Sequence, residues 1–242
     1  MPNKTALVTG ASDGIGAEFI QILASRGYDL ILVARSEDKL NQLAVKVGGQ
    51  FGVNCTVIVA DLSEPNAAQN LFQSIEEKGL DVDFLINNAG LLHNGFFTEL
   101  NLAEQERMIV VNVLALTTLT HLYANNMASK GGGHILNVAS LAGWMAIPNQ
   151  NVYAATKAYV LAFTQALSNE MVAADSGVKV TALCPGYTPT KMMDNPDQGA
   201  TLRIPSSMMM SARDVAEIGI KACFAGKDIV VPGVANKLTA II

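Results

Sequence analysis

The run Thr5-Ala-Leu-Val-Thr9 passes without a break into Gly10-Ala-Ser-Asp-Gly14-Ile-Gly16 and then into a helical pattern. A short apolar strand feeding a glycine loop and a helix leaves few folds open. The glycines allow a tight turn and close backbone approach, and the first turn of the helix offers free N–H groups and a positive dipole end. Such a loop suits a pyrophosphate, although ordinary turns are also glycine-rich. Its spacing, G-x-x-x-G-x-G, differs from the more familiar G-x-G-x-x-G. Further apolar runs at 30–33, 56–60, 84–86, 135–138, 179–183 and 229–231 alternate with helical patterns. Seven strands separated mostly by helices predict an α/β fold with a parallel sheet covered on both faces.

The expected architecture is therefore a single Rossmann-type doubly wound domain over residues 1–242, with no repeat, low-complexity stretch or linker dividing it. A chain of 242 residues, 50% hydrophobic and 15% charged, suits one large core. A net charge of -5 and a pI near 5.2 provide no basic excess for nucleic acid. No unbroken apolar run approaches the roughly 18 residues of a bilayer span, and the first strand starts too early for a cleaved leader. A cytoplasmic protein without membrane or nucleic-acid partners is expected. Cys55, Cys184 and Cys223 are odd in number and far apart, which favours reduced thiols over a disulfide or metal site. His93, His121 and His134 suggest no metal centre either. Between 186 and 211, Pro189, Pro196 and Pro205 interrupt any long helix, and a loop of that length is commonly a lid or disordered.

Tyr153 and Lys157 stand four apart in a helix-favouring run, 151–174, with Ser140 upstream. Residues i and i+4 share a helix face with Cβ atoms about 5 to 6 Å apart. An ammonium beside a phenol favours phenolate and is expected to draw the tyrosine pKa down from about 10, as acid–base work at a carbonyl oxygen requires. Spacing alone is weak, since Tyr187 and Lys191 repeat it; Pro189 between those two argues against a shared helical face.

Together these motifs resemble the short-chain dehydrogenase/reductase family. They run in the family's order: Thr9-Gly10-x-x-x-Gly14-x-Gly16, Asp61 after a strand, Asn87-Asn88-Ala89-Gly90, Asn112, Ser140, Tyr153 with Lys157, and Pro185-Gly186 with Thr190. The resemblance spans residues 4 to about 232. It implies hydride transfer between a nicotinamide and a carbonyl or alcohol substrate, with Tyr153 supplying the proton and Ser140 hydrogen-bonding the oxygen. Lys157 would tune Tyr153 and bind the nicotinamide ribose, and Asn112 would hold a water in the proton chain. The bland reading of Asn112 is a satisfied core amide. The cofactor would lie along Gly10, Ser12, Asp13, Gly14, Ile15 and Gly16. Asp61 would meet adenine with Leu62 beside it, and Asn88, Ala89 and Gly90 would line the site. Pro185 and Gly186 would continue that lining, with Thr188 and Thr190 at the nicotinamide. The region 186–211 would cover the substrate, and helices 102–127 and 151–174 would pair copies into a homodimer or homotetramer.

The second strand ends Leu32-Val33-Ala34-Arg35, without the acid that selects NAD and with an arginine suited to a 2′-phosphate. NADP(H) is therefore favoured over NAD(H), with Arg35 as phosphate clamp and Ser12 as its helper. Alternatively, Arg35 is a solvated charge at the start of a helix. Asp13 fits poorly beside an anionic phosphate, whereas Glu37 and Asp38 read as first-turn charges behind an N-cap Ser36. Leu92, Phe96, Phe97, Leu141, Trp144, Ile147, Met192, Met193 and Met208 to Met210 line a pocket or belong to the core. A pocket of that kind would take a substrate with an apolar body, although Lys191 and Arg203 could meet an anion. Two other readings stay open: a non-catalytic nucleotide sensor and an NAD-dependent alcohol dehydrogenase of the same fold.

Overall fold

The computed structural model describes residues 3–190, 192 and 209–240. Its strands are β1 Thr5–Thr9, β2 Asp29–Ala34, β3 Cys55–Val59, β4 Phe84–Asn87, β5 Gly133–Val138, β6 Val178–Leu183 and β7 Ile229–Val230. They form one sheet in the order β3-β2-β1-β4-β5-β6-β7, every pairing parallel. The helices are α1 Gly14–Ser25, α2 Glu37–Phe51, α3 Ala67–Glu77, α4 Leu102–Ile109, α5 Leu116–Ser129, α6 Asn151–Ala173, α7 Ala212–Phe224 and α8 Val234–Thr239.

Alternation along each strand divides the core in two. Ala6, Val8, Leu30, Leu32, Phe84 and Ile86 face α1, α2 and α7, where Phe19, Leu23, Leu40 and Ile220 meet them. Leu7, Ile31, Val33, Leu85 and Ile135 face α3 and α5, against Leu71, Ile75, Leu119 and Tyr123. Both faces are buried, which is why these strands read as unbroken apolar runs. Strand order reverses between β1 and β4, opening a crevice beyond their carboxyl ends, where ligands bind in doubly wound sheets.

The expected helix 102–127 is continuous but not uniform. A π-helical turn, Val110–Ala115, joins α4 to α5 with Asn112 inside it. One wide turn re-aims side chains without breaking the helix, and such turns are frequent at functional sites. An 18-residue window of Leu102–Ser129 reaches a mean hydropathy of 1.3, long and apolar enough to cross a bilayer by length and composition. Half of that window is buried within the fold, where Leu119, Tyr123 and Met127 pack on the sheet.

Behind the crevice, Asn87 and Asn137 pair across β4 and β5. Asn87 Nδ2 donates to Asn137 Oδ1 at 2.9 Å and to Thr120 Oγ1 at 3.0 Å, and Asn137 Nδ2 donates to Thr164 Oγ1 at 3.1 Å. This buried ladder ties α5 and α6 to the sheet through directional bonds, so the helix carrying Tyr153 has a defined register.

Candidate functional site

The glycine loop is held shut from β4. Thr9, fully buried, accepts the backbone N–H groups of Asn88 and Ala89 on Oγ1, each at 3.0 Å. Asn88 Nδ2 donates to the carbonyls of Thr9 at 3.0 Å and Gly10 at 3.1 Å. Gly10 takes φ +65°, where a side chain is strained, and a Cβ on Gly16 would overlap the Gly10 carbonyl and lie 2.6 Å from Asn88 Nδ2. Asp13 resolves its apparent misfit by capping α1: Oδ1 accepts the Gly14 N–H at 2.9 Å, and Oδ2 pairs with Lys39 at 3.3 Å. Ser36 stands at the N-cap of α2 with Glu37 and Asp38 in its first turn, but its hydroxyl makes no capping bond.

At the ends of β2 and β3, register brings Arg35 beside Asp61. Arg35 Nη1 lies 3.7 Å from Asp61 Oδ2, and Arg107 Nη2, from α4, reaches the same oxygen at 2.9 Å. Ser63 donates to Asp61 Oδ1 from its backbone at 3.0 Å and its hydroxyl at 2.6 Å. Burial alone would raise the Asp61 pKa, but Ser63, Arg107 and Arg35 together hold it below the usual carboxylate value. Arg35 and Asp61 border a cavity of about 200 Å³ that also includes Gly10, Ser12, Leu62, Ala89 and Gly90; Arg107 and Ser63 stand outside its lining.

A larger cavity of about 530 Å³ continues across the crevice. Ser140, Tyr153 and Lys157 line it together with Gly10, Asp13, Gly14, Ile15 and the stretch Asn88, Ala89 and Gly90. Pro185, Gly186, Thr188 and Thr190 enter from the other wall. Thus one crevice gathers nearly every expected site residue. Gly16 acts one step back, by close packing, and Asn112 lies behind the wall. Asn112 Oδ1 accepts the Leu91 N–H at 2.8 Å, while Nδ2 donates to the Leu91 carbonyl at 2.9 Å and to Thr156 Oγ1 at 3.1 Å. Both amide hydrogens are used; Oδ1 keeps one acceptor position.

The tyrosine's acidity departs from expectation. Burial raises the Tyr153 pKa above 10, and only a hydrogen bond with Ser140 pulls it down. Lys157 does not lower it. The lysine, 4% exposed, donates to the Val138 carbonyl at 2.8 Å, with Nζ 5.8 Å from the centre of the Tyr153 ring. Burial brings its own pKa down from 10.5 to about 8, Cys184 pulling weakly the other way. Helical spacing delivers the pair to one face, but loss of solvent around both groups outweighs their mutual effect.

Of the candidate pocket residues, Leu92, Leu141, Ile147 and Met192 line the large cavity. Phe96 and Phe97 are exposed instead, and Trp144 and Met210 stand outside the lining; Met210 packs beside the core. Met193, Lys191, Arg203, Met208, Pro196 and Pro205, and with them most of the expected lid, lie outside the described residues. Tyr187 lines the cavity from a segment without helical structure, so the second Tyr/Lys spacing has no helix beneath it. Sequence reasoning named Thr9 and Tyr187 without giving either a place in the site, and missed Arg107, Met145, Gln150, and Ala235, Asn236 and Thr239 of α8. The C-terminal trio falls beyond the last recognisable motif. Gln150 had a signal, as a polar residue one turn before Tyr153. Among the described residues, no group of three or more His, Cys, Asp or Glu could hold a metal ion.

The sequence pattern of the short chain dehydrogenase family matches residues 4–200. An uncharacterized oxidoreductase of Staphylococcus saprophyticus is 31% identical over 222 residues, covering 92% of each chain. A short-chain dehydrogenase from Sphingobium yanoikuyae, solved with NADPH, superposes with a TM-score of 0.88 at 31% identity, covering 98% of this chain and 92% of that one. A short-chain dehydrogenase/reductase from Burkholderia phymatum, solved with NAD, gives 0.87 at 25% identity, covering 99% and 92%.

Proposed function

Because the chain belongs to the short-chain dehydrogenase/reductase family, and is an oxidoreductase of that kind, we propose that it interconverts a carbonyl and a secondary alcohol on a substrate with an apolar body, using NADP(H). The carrying observation is that Ser140, Tyr153 and Lys157 share one cavity with the glycine loop. The residues fit a dinucleotide, since Gly10, Gly14 and Ile15 bring the start of α1 to the cavity wall, where the N–H groups of a first helical turn suit a pyrophosphate. Gly10 to Gly16 would hold the pyrophosphate, Arg35 and Ser12 the 2′-phosphate, Asp61 and Leu62 the adenine. Asn88 to Gly90 would line the middle, and Pro185, Gly186, Thr188 and Thr190 the nicotinamide end. When bound, this cofactor supplies or accepts the hydride.

The chain's own groups manage the proton. A phenol kept protonated by burial is ready to donate to the carbonyl oxygen as negative charge develops there, which favours reduction at neutral pH. Ser140 stabilises that oxygen with a second hydrogen bond. Lys157 binds the ribose hydroxyls, and the free acceptor position of Asn112 holds a water that returns protons to the site. Leu92, Leu141, Met145 and Ile147 make the substrate wall largely apolar. Residues 1–242 act as one catalytic domain, with the segment about 186–211 as its cover. Free thiols at Cys55, Cys184 and Cys223 agree with a cytoplasmic location. Exposed Ile109, Leu114 and Tyr159, on the α4–α5 helix and α6, supply an apolar face through which two copies pair as a homo-oligomer.

A screen of ketones, aldehydes and secondary alcohols, following reduced-cofactor absorbance with NADPH and NADH in parallel, tests the reading. Turnover of apolar carbonyls with NADPH supports it; binding without any turnover would indicate a sensor, and equal use of NADH would overturn the preference for NADP(H).

A further inference from the structure

Two arginines share one carboxylate oxygen at the adenosine end, and they hold it differently. Arg107 is locked: Nη2 lies 2.9 Å from Asp61 Oδ2 and Nε donates to Ser63 Oγ at 3.0 Å, while Ser63 donates in turn to Asp61 Oδ1. This closes a ring of three side chains. On its far side, Arg107 meets Glu104 at 3.9 Å. Arg35 makes one looser approach at 3.7 Å, and more than half of its side chain is exposed. It can therefore turn toward another anion at little cost, whereas Arg107 is fixed by planar, two-point hydrogen bonding.

Asp61 creates a difficulty for a 2′-phosphate. As a carboxylate beside Arg35, it repels the phosphate and competes with it for the same guanidinium. Arg107 removes both obstacles by neutralising Asp61 from behind. We propose that Arg107 is a positioning residue for cofactor selection, holding Asp61 so that Arg35 is released to the 2′-phosphate of NADP(H). The inference rests on the NADP(H) reading above. Arg107 lies 46 residues from Asp61 and five residues before Asn112, on a helix whose first turn borders solvent, and no glycine-loop or strand-end motif contains it.

The test is a double-mutant cycle on the full chain, with dissociation constants for NADPH and NADH read by cofactor fluorescence. Arg107→Met should weaken NADPH by about 3- to 30-fold, the range expected for coupled neighbouring charges, and leave NADH within about 2-fold. In an Asp61→Asn background, where no carboxylate needs neutralising, the additional Arg107→Met change should have no NADPH-specific effect. A loss that persists in that background, or one falling equally on NADH, overturns the proposal. The parent reading fails separately: the unmodified protein would then bind both cofactors alike and Arg35→Ala would change neither. If Arg35→Ala discriminates between cofactors and Arg107→Met does not, only the present inference falls.

Discussion

Replacing Lys157 with methionine should stabilise the fold at neutral pH while abolishing turnover. Lys157 is 4% exposed, and its pKa falls from 10.5 to about 8. At 1.36 kcal/mol per pKa unit, holding the charged amine in that site costs about 3 kcal/mol at pH 7, where both folded and unfolded chains carry the proton. The sign follows from proton counts. Below pH 8 the full cost is present. Between pH 8 and 10.5 the unfolded chain binds more protons than the folded one, so the cost is progressively relieved as pH rises. Methionine removes the charge but leaves the Val138 carbonyl without its 2.8 Å donor, a loss of about 1 to 2 kcal/mol. Lys157→Met should therefore be more stable than the parent by about 1 to 2 kcal/mol at pH 7, or about 2 to 8 °C in Tm for a chain of this size. Near pH 10.5 the order should reverse, because a neutral lysine still donates to Val138. Cys223, pushed up to about 12 by burial, destabilises the fold as pH rises through 9 in both proteins and cancels in the difference; Cys184, also about 12, is drawn down by Lys157, so its loss above pH 9 is greater in the variant and adds to the shrinking of the advantage. Urea midpoints of the pair at pH 7, 8, 9 and 10 measure it directly. A variant less stable at pH 7, or an advantage that does not shrink with rising pH, would refute the reasoning. A stabilising change that destroys activity is what a group retained for chemistry predicts.

Tyr153→Phe should lower turnover by about 10²- to 10⁴-fold with cofactor affinity little changed, checked by steady-state rates beside direct binding. Arg35→Ala should weaken NADPH by about 10- to 150-fold and spare NADH, the loss of one charge-assisted contact read by fluorescence titration. Gly16→Ala must displace the Gly10 carbonyl or the Asn88 amide, so it should lower stability by about 2 to 4 kcal/mol and impair cofactor binding; urea unfolding and calorimetry measure the two effects. Lys191→Ala should leave the pH profile of turnover intact, since Tyr187 has no helix linking it to that lysine. Light scattering at micromolar concentration should return a dimer or tetramer, and Leu114→Asp should drive the species toward monomer.

Local chemistry was legible along the chain. A strand buried on both faces needs unbroken apolar residues, a phosphate turn needs glycine, and a helix pairs residues four apart. Those short-range rules yielded all seven strands, the loop at Gly10, and the common face of Tyr153 and Lys157. The doubly wound sheet follows from strands that alternate with helices and can connect only in parallel. Only the tertiary structure decided what depends on distant partners. Thr9 became the lock on Asn88 and Ala89 across 79 and 80 residues, and Arg107 the counterion of Asp61 across 46. The last helix closed the cavity with Asn236 and Thr239, though nothing in its sequence marks it for that place. Most instructive is Tyr153. Spacing placed an ammonium near a phenol, which in water lowers the phenol's pKa, yet in the folded chain burial raises it and depresses the lysine. Proximity along a helix is a local property. Solvation is set by every element packed around the site, and so the sequence identifies which groups meet, while the fold determines which of them carries the proton.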